Sequence, residues 1–368
     1  MKRGSRIVRW LVRGVAGLLL LAVAVLAAAL VYRARKTGPA ERQMIIATAD
    51  GIDEALFVTI GGVEQWVTIR GQHKDNPIVL MLHGGPGAEQ KGLAVSFLPW
   101  EKDFVVVQWD QPGAGRTFGA AGRTLDPALT IERMARDGNE LAAWLTRRFH
   151  RQNIILLGWS WGSALGTYMV KARPDLFAAY IGTGQIVNMD EGEALAYSRV
   201  LAKARAQDDR SAIRDLEAIG PPPYDSLSEL GTQRKWASMY EVHQSMLQTV
   251  VSMLLIAPRS SLRDSFSAFS GMMQSQEHFF GSTMNGPLAH LNLRTLGNRF
   301  DLPMFVVQGT EDDYTPAALS RAWVDGIEAP QKAFIPIAGA GHLALVTRNT
   351  EFVTIVTRRV RPLAVGSH

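Results

Sequence analysis

The chain has 368 residues, of which 47% are hydrophobic and none is cysteine, so it can bury a large core but cannot form disulfides or thiolate metal sites. Its formal net charge of +5 belongs to the N-terminus, where residues 1–36 contain eight Lys or Arg and no acid. The remaining chain carries 31 basic and 34 acidic residues, which leaves no excess of positive charge for a nucleic-acid backbone. The composition therefore excludes cysteine chemistry and argues against a nucleic-acid partner.

The first predicted element is an apolar helix. Residues 15–32 contain no charge and no proline, and at about 1.5 Å per residue they are just long enough for a hydrocarbon core of ~30 Å. Five cations precede this run and three follow it, which favours a cytoplasmic N-terminus with the body on the far side. The alanines at 27–29 also fit a cleaved signal peptide. We predict an N-terminal transmembrane helix within residues 1–36 as anchor or signal, a cell-membrane location, and a periplasmic or extracellular body.

The body begins with a predicted linker at residues 33–43, followed by a hairpin whose turn is Gly61-Gly62. Beyond it, apolar runs alternate with helical patterns, which predicts a mostly parallel sheet. Residues 187–300 are helix-rich and are predicted to form an inserted helical cap, so that the α/β core comprises residues 37–186 and 301–368. The runs that predict further strands are residues 77–82, 104–109, 154–157, 178–181, 304–307 and 333–337.

The sequence GWSWG at residues 158–162 lies between a predicted strand and a predicted helix. This G-x-S-x-G arrangement is typical of a nucleophile elbow, where a sharp turn exposes the serine to a base and to backbone N–H donors. The alternative is an ordinary turn serine. We predict Ser160 as the nucleophile of a hydrolase that forms a covalent intermediate.

A serine nucleophile needs a base and an acid that orients it. Of the eight histidines, only His342 lies in a short Gly-rich loop after a late strand, and a base that follows the serine and the acid fits the order Ser…Asp…His. The alternative is a histidine of a surface loop. The segment GTEDDYTP at 309–316 offers three acids, Glu311, Asp312 and Asp313.

The predicted oxyanion hole consists of the N–H of Trp161 and an N–H of the loop HGGPG at 83–87, that of Gly85. His83 and Asp110 also end predicted strands, and we interpret them as residues that brace loops rather than as a second base and a displaced acid. No cluster has the spacing of metal ligands and no Gly-rich loop resembles a phosphate cradle, so no cofactor or metal is predicted.

These motifs together resemble the proline iminopeptidases, which are α/β-hydrolases with a Ser-His-Asp triad. The resemblance implies that fold, a cap that shapes substrate choice, and a triad of Ser160, His342 and Asp312. Asp312 is selected because the family acid commonly follows a strand-end Gly by three residues and precedes a Pro by four, as it does here. The motifs that carry the resemblance are HGGPG at 83–87, DQPGAGRT at 110–117 and GWSWGS at 158–163.

Two departures from the family concern substrate binding. Pro112 stands where the family usually has Arg after Asp-Gln. Family aminopeptidases hold the free amine of the substrate with cap glutamates, and the matching positions here are Glu241 and Gln276, with Glu277 shifted by one. The resemblance implies substrate-binding roles for these three residues, although a neutral amide at position 276 cannot pair with an ammonium group.

We therefore predict a membrane-anchored serine hydrolase, an aminopeptidase that releases N-terminal Pro or a small apolar residue from short peptides. The alternative is an esterase or amidase that acts on an apolar small molecule, which would suit an adaptable, Met-rich cap. A third hypothesis is a non-catalytic binding protein on a hydrolase scaffold. The cap methionines are Met239, Met246, Met253, Met272, Met273 and Met284.

Overall fold

The computed structural model of the protein describes residues 2–241, 249 and 256–365, and within them one sheet contains eight strands. The strands are β1 (Ile52–Ile60), β2 (Val63–Gly71), β3 (Ile78–Leu82), β4 (Val105–Trp109), β5 (Ile154–Trp159), β6 (Phe177–Thr183), β7 (Met304–Gly309) and β8 (Lys332–Ile337). Their order is β1-β2-β4-β3-β5-β6-β7-β8. The pairs β1–β2 and β2–β4 are antiparallel and all others are parallel, which confirms the predicted mostly parallel sheet.

Helices connect and cover these strands. Thr130 caps the N-terminus of the third helix by accepting a hydrogen bond from the Arg133 N–H, and two arginines stand in the last turn of that helix. The helices are α1 (Lys2–Gln43), α2 (Gly115–Ala120), α3 (Ile131–Arg148), α4 (Trp161–Ala172), α5 (Met189–Ala206), α6 (Arg210–Ile219), α7 (Leu227–Met239), α8 (Leu262–Phe280), α9 (Ala317–Gly326), α10 (Ala344–Thr347), α11 (Asn349–Arg359) and α12 (Arg361–Val365).

The sheet separates two apolar cores. Every residue of β3 and β5 is buried, as expected for parallel strands that are covered on both faces. Because side chains alternate along a strand, Leu80 packs in the core that contains residues of α3 and α4, whereas Met81 packs in the core that contains Phe352 of α11. The carboxyl ends of the central strands are thereby held rigidly, and the loops that follow them carry the predicted site residues.

Helices α5 to α8 stand between β6 and β7, inside the predicted cap of residues 187–300. Each begins at a side chain that accepts a backbone hydrogen bond, which satisfies an otherwise unpaired N–H group of the first turn. These capping residues are Asn188, Asp209, Ser226 and Ser261. The division of the chain into anchor, core and cap stays a prediction.

The predicted linker at residues 33–43 is wrong, because α1 runs through it without interruption to Gln43 and contains Pro39. The segment is polar, but it consists largely of Ala, Arg, Lys, Glu and Gln, which are all good helix formers. The predicted transmembrane helix is not supported: across the part of the chain that the structure describes, no helix is long and apolar enough to cross a membrane.

Candidate active site

The turn between β5 and α4 holds Ser160 in an unusual backbone conformation, with φ of 55° and ψ of −121°. Positive φ is uncommon for a residue with a side chain and persists only where the surroundings enforce it. The Ser160 N–H donates a hydrogen bond of 2.9 Å to the Thr183 carbonyl oxygen on β6, and the Ser163 N–H donates one of 2.8 Å back to the Ser160 carbonyl. The turn is therefore fixed from both sides.

Both glycines of the G-x-S-x-G sequence are required by close packing. A Cβ on Gly158 would overlap the carbonyl oxygen of Gly162, and a Cβ on Gly162 would overlap the carbonyl oxygen of Leu82 on β3. All of these atoms belong to the backbone, so no side-chain rotation could relieve the overlap. The two glycines thus let strand, turn and helix meet at the distance that this turn needs.

His342 and Asp312 form a buried pair. The His342 Nδ1 atom lies 3.0 Å from each carboxylate oxygen of Asp312, and neither side chain is more than 2% exposed. The backbone N–H groups of Tyr314 and Thr315 donate to Oδ1 at 2.9 and 2.8 Å, and the Thr315 hydroxyl donates to Oδ2 at 2.8 Å. A proton on Nδ1 leaves Nε2 of the imidazole as the acceptor.

The charge state of Asp312 suits this arrangement. Burial alone would raise its pKa, but the charge and hydrogen bond of His342, together with the hydrogen bonds of Thr315, lower the pKa below its ordinary value. The acid is therefore a carboxylate that can orient an imidazole and stabilise its protonated form.

Ser160 and His342 line one cavity of about 680 Å³, together with Gly84 and Gly85. A Cβ on Gly84 would lie 3.3 Å from the Cβ of Ser160, so the loop after β3 passes directly beside the serine. Gly85 has φ of 114°, which a residue with a side chain rarely adopts. Trp161 is the first residue of α4, and its N–H has no acceptor within the helix. Both predicted oxyanion donors therefore belong to backbone beside Ser160.

His83 and Asp110 brace the surrounding loops. Burial lowers the pKa of His83 to about 4, and its Nε2 atom accepts a hydrogen bond of 3.3 Å from the Gln111 N–H. The Gln111 side chain in turn accepts a hydrogen bond of 2.9 Å from the Trp161 indole. Asp110 accepts a bond of 2.8 Å from the Arg116 N–H. These contacts join the loop after β3, the loop after β4 and the start of α4.

Comparison with known proteins places this fold in a family. The family model described as alpha/beta hydrolase fold matches residues 77–348. The chain belongs to the α/β-hydrolase family. This hydrolase is 27% identical to the probable aminopeptidase YbaC of Bacillus subtilis, over 83% of this chain and 95% of that protein. It is 23% identical to a proline iminopeptidase of Lacticaseibacillus rhamnosus, over 78% and 91% of the two chains.

Among solved structures, the proline iminopeptidase of Mycobacterium smegmatis superposes with a TM-score of 0.61 at 16% identity, covering 86% of this chain and 100% of that one. This likeness shows the fold. The resemblance to proline iminopeptidases is confirmed, and the protein is an enzyme whose relatives are consistent with a serine hydrolase.

The acids on either side of Asp312 are turned away from His342. Two neighbouring acids in a loop are ordinarily expected to be solvated, but Asp313 is only 1% exposed. Its carboxylate accepts a hydrogen bond of 2.8 Å from Arg199 and another from Lys203, both on α5. Glu311 faces the same two cations at 3.6 and 3.9 Å but is 43% exposed. Only Asp312 of the three therefore contacts the imidazole.

The sequence does not indicate a role for Tyr314, although this residue lines the cavity of the hydrolase. Its hydroxyl donates a hydrogen bond of 3.1 Å to the Arg234 carbonyl on α7, and the Arg234 guanidinium lies 4.9 Å from the centre of its ring. Arg234 is also paired with the buried carboxylate of Glu193 on α5. Nothing local in the sequence signals these contacts, because they depend on how α5 and α7 pack over the loop after β7.

The three candidate substrate-binding residues lie in two places. Gln276 and Glu277, at the end of α8, line the cavity beside Ser160. Glu241 instead packs against the backbone of Gly341, where a Cβ would overlap its carboxylate. Burial raises the pKa of Glu241 to about 7; His342 opposes this rise and Asp312 adds to it. The structure therefore brings Glu241 to the loop of His342 rather than to the cavity wall.

The rest of the cavity wall is mostly apolar. Met272 and Met273 belong to it, Met239 is exposed, Met284 is buried elsewhere, and Met246 and Met253 lie outside the described residues. Among the residues that the structure describes, no group of three or more His, Asp or Glu side chains could hold a metal ion. The apolar residues that line the cavity are Ala88, Trp159, Ile186, Met189, Leu227, Leu230, Met272, Met273, Phe280 and Leu288.

Proposed function

We propose that the hydrolase works through an acyl-enzyme intermediate with Ser160 as nucleophile, His342 as general base and Asp312 as the orienting acid. Nε2 of His342 takes the Ser160 hydroxyl proton as the oxygen attacks a carbonyl carbon, and it then gives the proton to the leaving group. Water, activated in the same way, releases the acyl group. One observation carries this proposal: the buried His342–Asp312 contact at 3.0 Å beside a cavity that Ser160 also lines.

The oxyanion that forms during attack is held by the N–H groups of Gly85 and Trp161. Fixed backbone donors stabilise negative charge without having to reorient during the reaction. Support for this assignment comes from the close approach of the loop at 83–87 to Ser160 and from the position of Trp161 at the start of α4.

The substrate that we favour is a short peptide with a free N-terminal amine on Pro or a small apolar residue. Two relatives are named aminopeptidase and proline iminopeptidase. Among the described residues that line the cavity, Glu277 is the only carboxylate, so it is the group to pair with an ammonium ion. Gln276 contributes only a neutral amide beside it.

A second candidate, an esterase or amidase acting on an apolar small molecule, is favoured by the apolar wall of the cavity. Assays with prolyl and alanyl anilides, their N-acetylated forms and short acyl esters separate the two. We expect the free-amine substrates to be preferred, and Glu277→Gln to raise their KM by about tenfold or more with little effect on esters. Equal turnover of N-acetylated and free-amine substrates would favour the second candidate.

Labelling with a fluorophosphonate separates both enzymes from a non-catalytic binding protein. The wild-type protein should react at Ser160, and Ser160→Ala should not react at all. His342→Ala should react far more slowly, because the serine then lacks its base. An unlabelled wild-type protein that is folded and binds ligands would support the non-catalytic alternative.

The body is proposed to lie on the non-cytoplasmic side of the cell membrane. The five cations before residue 15 and the three after residue 32 support this orientation. Cell fractionation, followed by protease treatment of intact spheroplasts, tests it. Degradation of the body by external protease is the expected result, and full protection would contradict the proposed location.

A further inference from the structure

Between Leu262 and Ser275, helix α8 has most of its large apolar side chains on the outside. Its buried residues in this part are small, namely Ser267, Ala268, Gly271 and Ser275, and its large buried residues, Phe279 and Phe280, come only at its C-terminal end. The residues on the opposite face are large and about half exposed, between 48% and 57%. They are Leu262, Phe266, Phe269 and Met273, and we call them the α8 stripe.

Close packing explains the small residues of the inner face. A Cβ on Gly271 would lie 2.5 Å from the Gly113 carbonyl oxygen and 3.0 Å from the Phe118 ring on α2. The Ser275 hydroxyl donates a hydrogen bond of 3.1 Å to the same carbonyl. Packing does not explain the outer face, because solvent-facing positions of a helix ordinarily carry polar residues. Its four residues are spaced by four, three and four positions, so they form one continuous apolar strip.

The stripe runs between two functional parts of the molecule. At one end, Met273 lines the cavity that contains Ser160. At the other end, the Arg33 guanidinium donates hydrogen bonds to Ser265 and to the Ser260 carbonyl, so the C-terminal part of α1 lies beside the start of α8. Directly before Arg33, the side chains of residues 30–32 are also about half exposed, between 45% and 57%. These exposed apolar side chains of α1 therefore lie within one helical turn of its contact with α8.

The two chain segments that meet at this junction carry a net positive charge, although one of their cations, Arg259, is paired with Asp53. Residues 33–42 and 259–264 together carry six Arg or Lys and two acids. Proteins bind anionic lipid surfaces by two features, exposed apolar side chains and a cluster of cations beside them. The apolar side chains are buried among the acyl chains, and the cations are attracted to the head groups. A helix that lies in the interface needs no membrane-crossing length.

We propose that the α8 stripe and the adjoining end of α1 rest on an anionic lipid bilayer, with the mouth of the cavity turned toward that surface. Phe266 and Phe269 enter the boundary between head groups and acyl chains, and the cations around Arg33 face the head groups. This orientation goes beyond the proposed chemistry and does not depend on which acyl group is cleaved.

The absence of cysteine allows a direct test in the full chain. An environment-sensitive fluorophore is attached to a single cysteine at position 269 (Phe269→Cys) and, as a control, at exposed position 350 on α11 (Thr350→Cys). Vesicles of phosphatidylcholine and phosphatidylglycerol in equal parts should shift the emission at 269 to the blue and allow quenching by lipids brominated in their acyl chains. The probe at 350 should do neither, and vesicles of phosphatidylcholine alone should give a weaker shift.

Two results would overturn the proposal. The first is an unchanged emission at 269 in protein that sediments with the anionic vesicles, since α1 would then be attached while the stripe stays in water. The second is a blue shift at 269 that grows with protein concentration in the absence of lipid, which would identify a second copy of the chain as the occupant. The double variant Leu262→Glu/Phe266→Glu provides an independent measurement without a label. It should weaken vesicle binding by about tenfold or more while its turnover of a water-soluble substrate stays at the wild-type level.

Discussion

The ring of Tyr314 stacks on the imidazole of His342, with centroids 4.9 Å apart and planes inclined by 24°. The same residue donates its N–H to Asp312 and its hydroxyl to the Arg234 carbonyl on α7. Tyr314 therefore contacts Asp312, His342 and α7 at once. We infer that the stacked ring of Tyr314, together with Asp312, sets the orientation of His342.

Replacing Tyr314 tests this dependence. Tyr314→Leu removes the ring and should lower kcat by about tenfold or more, because a small displacement of a catalytic group is costly. Tyr314→Phe keeps the ring and loses only the hydroxyl bond to α7, so its kcat should stay within about threefold of wild type. Steady-state kinetics and the pH profile of kcat/KM measure both. Equal losses in the two variants would mean that the hydroxyl, and not the stacked ring, positions the imidazole.

The three consecutive acids of the loop after β7 should respond differently to neutralisation. Asp312→Asn removes the carboxylate that faces Nδ1 of His342, and we expect kcat to fall by about 10³-fold or more. Glu311→Gln changes a half-exposed residue and serves as the matched control, with kcat near that of wild type. A full-rate Asp312→Asn enzyme would show that another acid orients the base.

Asp313→Asn should act on stability rather than on chemistry. It leaves Arg199 and Lys203 without the buried carboxylate that they share. Removing one member of a buried pair costs several kcal/mol, but these cations are 34% and 27% exposed, so we expect a loss of about 2 kcal/mol in the free energy of unfolding. Denaturant titration measures this loss. A variant as stable as wild type would mean that water replaces the carboxylate at no net cost.

The sheet and the turn at Ser160 could be predicted because their signals in the sequence are local. Buried strands give continuous apolar runs in the sequence. The glycines around Ser160 are required because any side chain in their place would clash with the backbone. The surroundings of Asp313 could not be predicted, since Arg199 lies 114 positions away and meets it only through the packing of α5. The contacts of Tyr314 could not be predicted either. They join three separate segments, namely the loop after β7, helix α7 and the loop that carries His342.

The prediction for residues 33–43 failed for a different reason. Polar composition indicated a linker, but most residues of the segment are also good helix formers. The structure continues α1 through this segment, and the contacts of Arg33 with the start of α8 lie in the misread segment. These contacts between distant segments had no signature in the sequence.

The glycines of the turn at Ser160 allow a matched test of packing. Gly158→Ala and Gly162→Ala each place a Cβ into backbone atoms, so we expect each to destabilise the fold by about 3 kcal/mol or more or to prevent folding. Gly192→Ala on α5 is the control, because a Cβ there would meet only Leu319 at 3.9 Å. This control should be stabilised by about 0.5–1 kcal/mol. Thermal unfolding compares the three, and a tolerated Gly162→Ala would contradict the close contact with β3.

Glu241 should make stability depend on pH in a direction that its pKa determines. Burial raises that pKa from 4.5 to about 7, so the folded state holds the proton more tightly than the unfolded state does. As pH rises from about 4.5 to about 7, the unfolded chain loses its proton first, and the folded state loses stability until Glu241 has ionised as well. Glu241→Gln cannot ionise. Its free energy of unfolding, relative to that of wild type, should therefore rise by on the order of 2 kcal/mol between pH 4 and pH 8.

Urea titrations at the two pH values measure this difference, and Glu351→Gln, on the exposed side of α11, is the charge-matched control. A gain of the same size in the control, or a loss in Glu241→Gln, would show that the carboxylate is not held against the loop of His342.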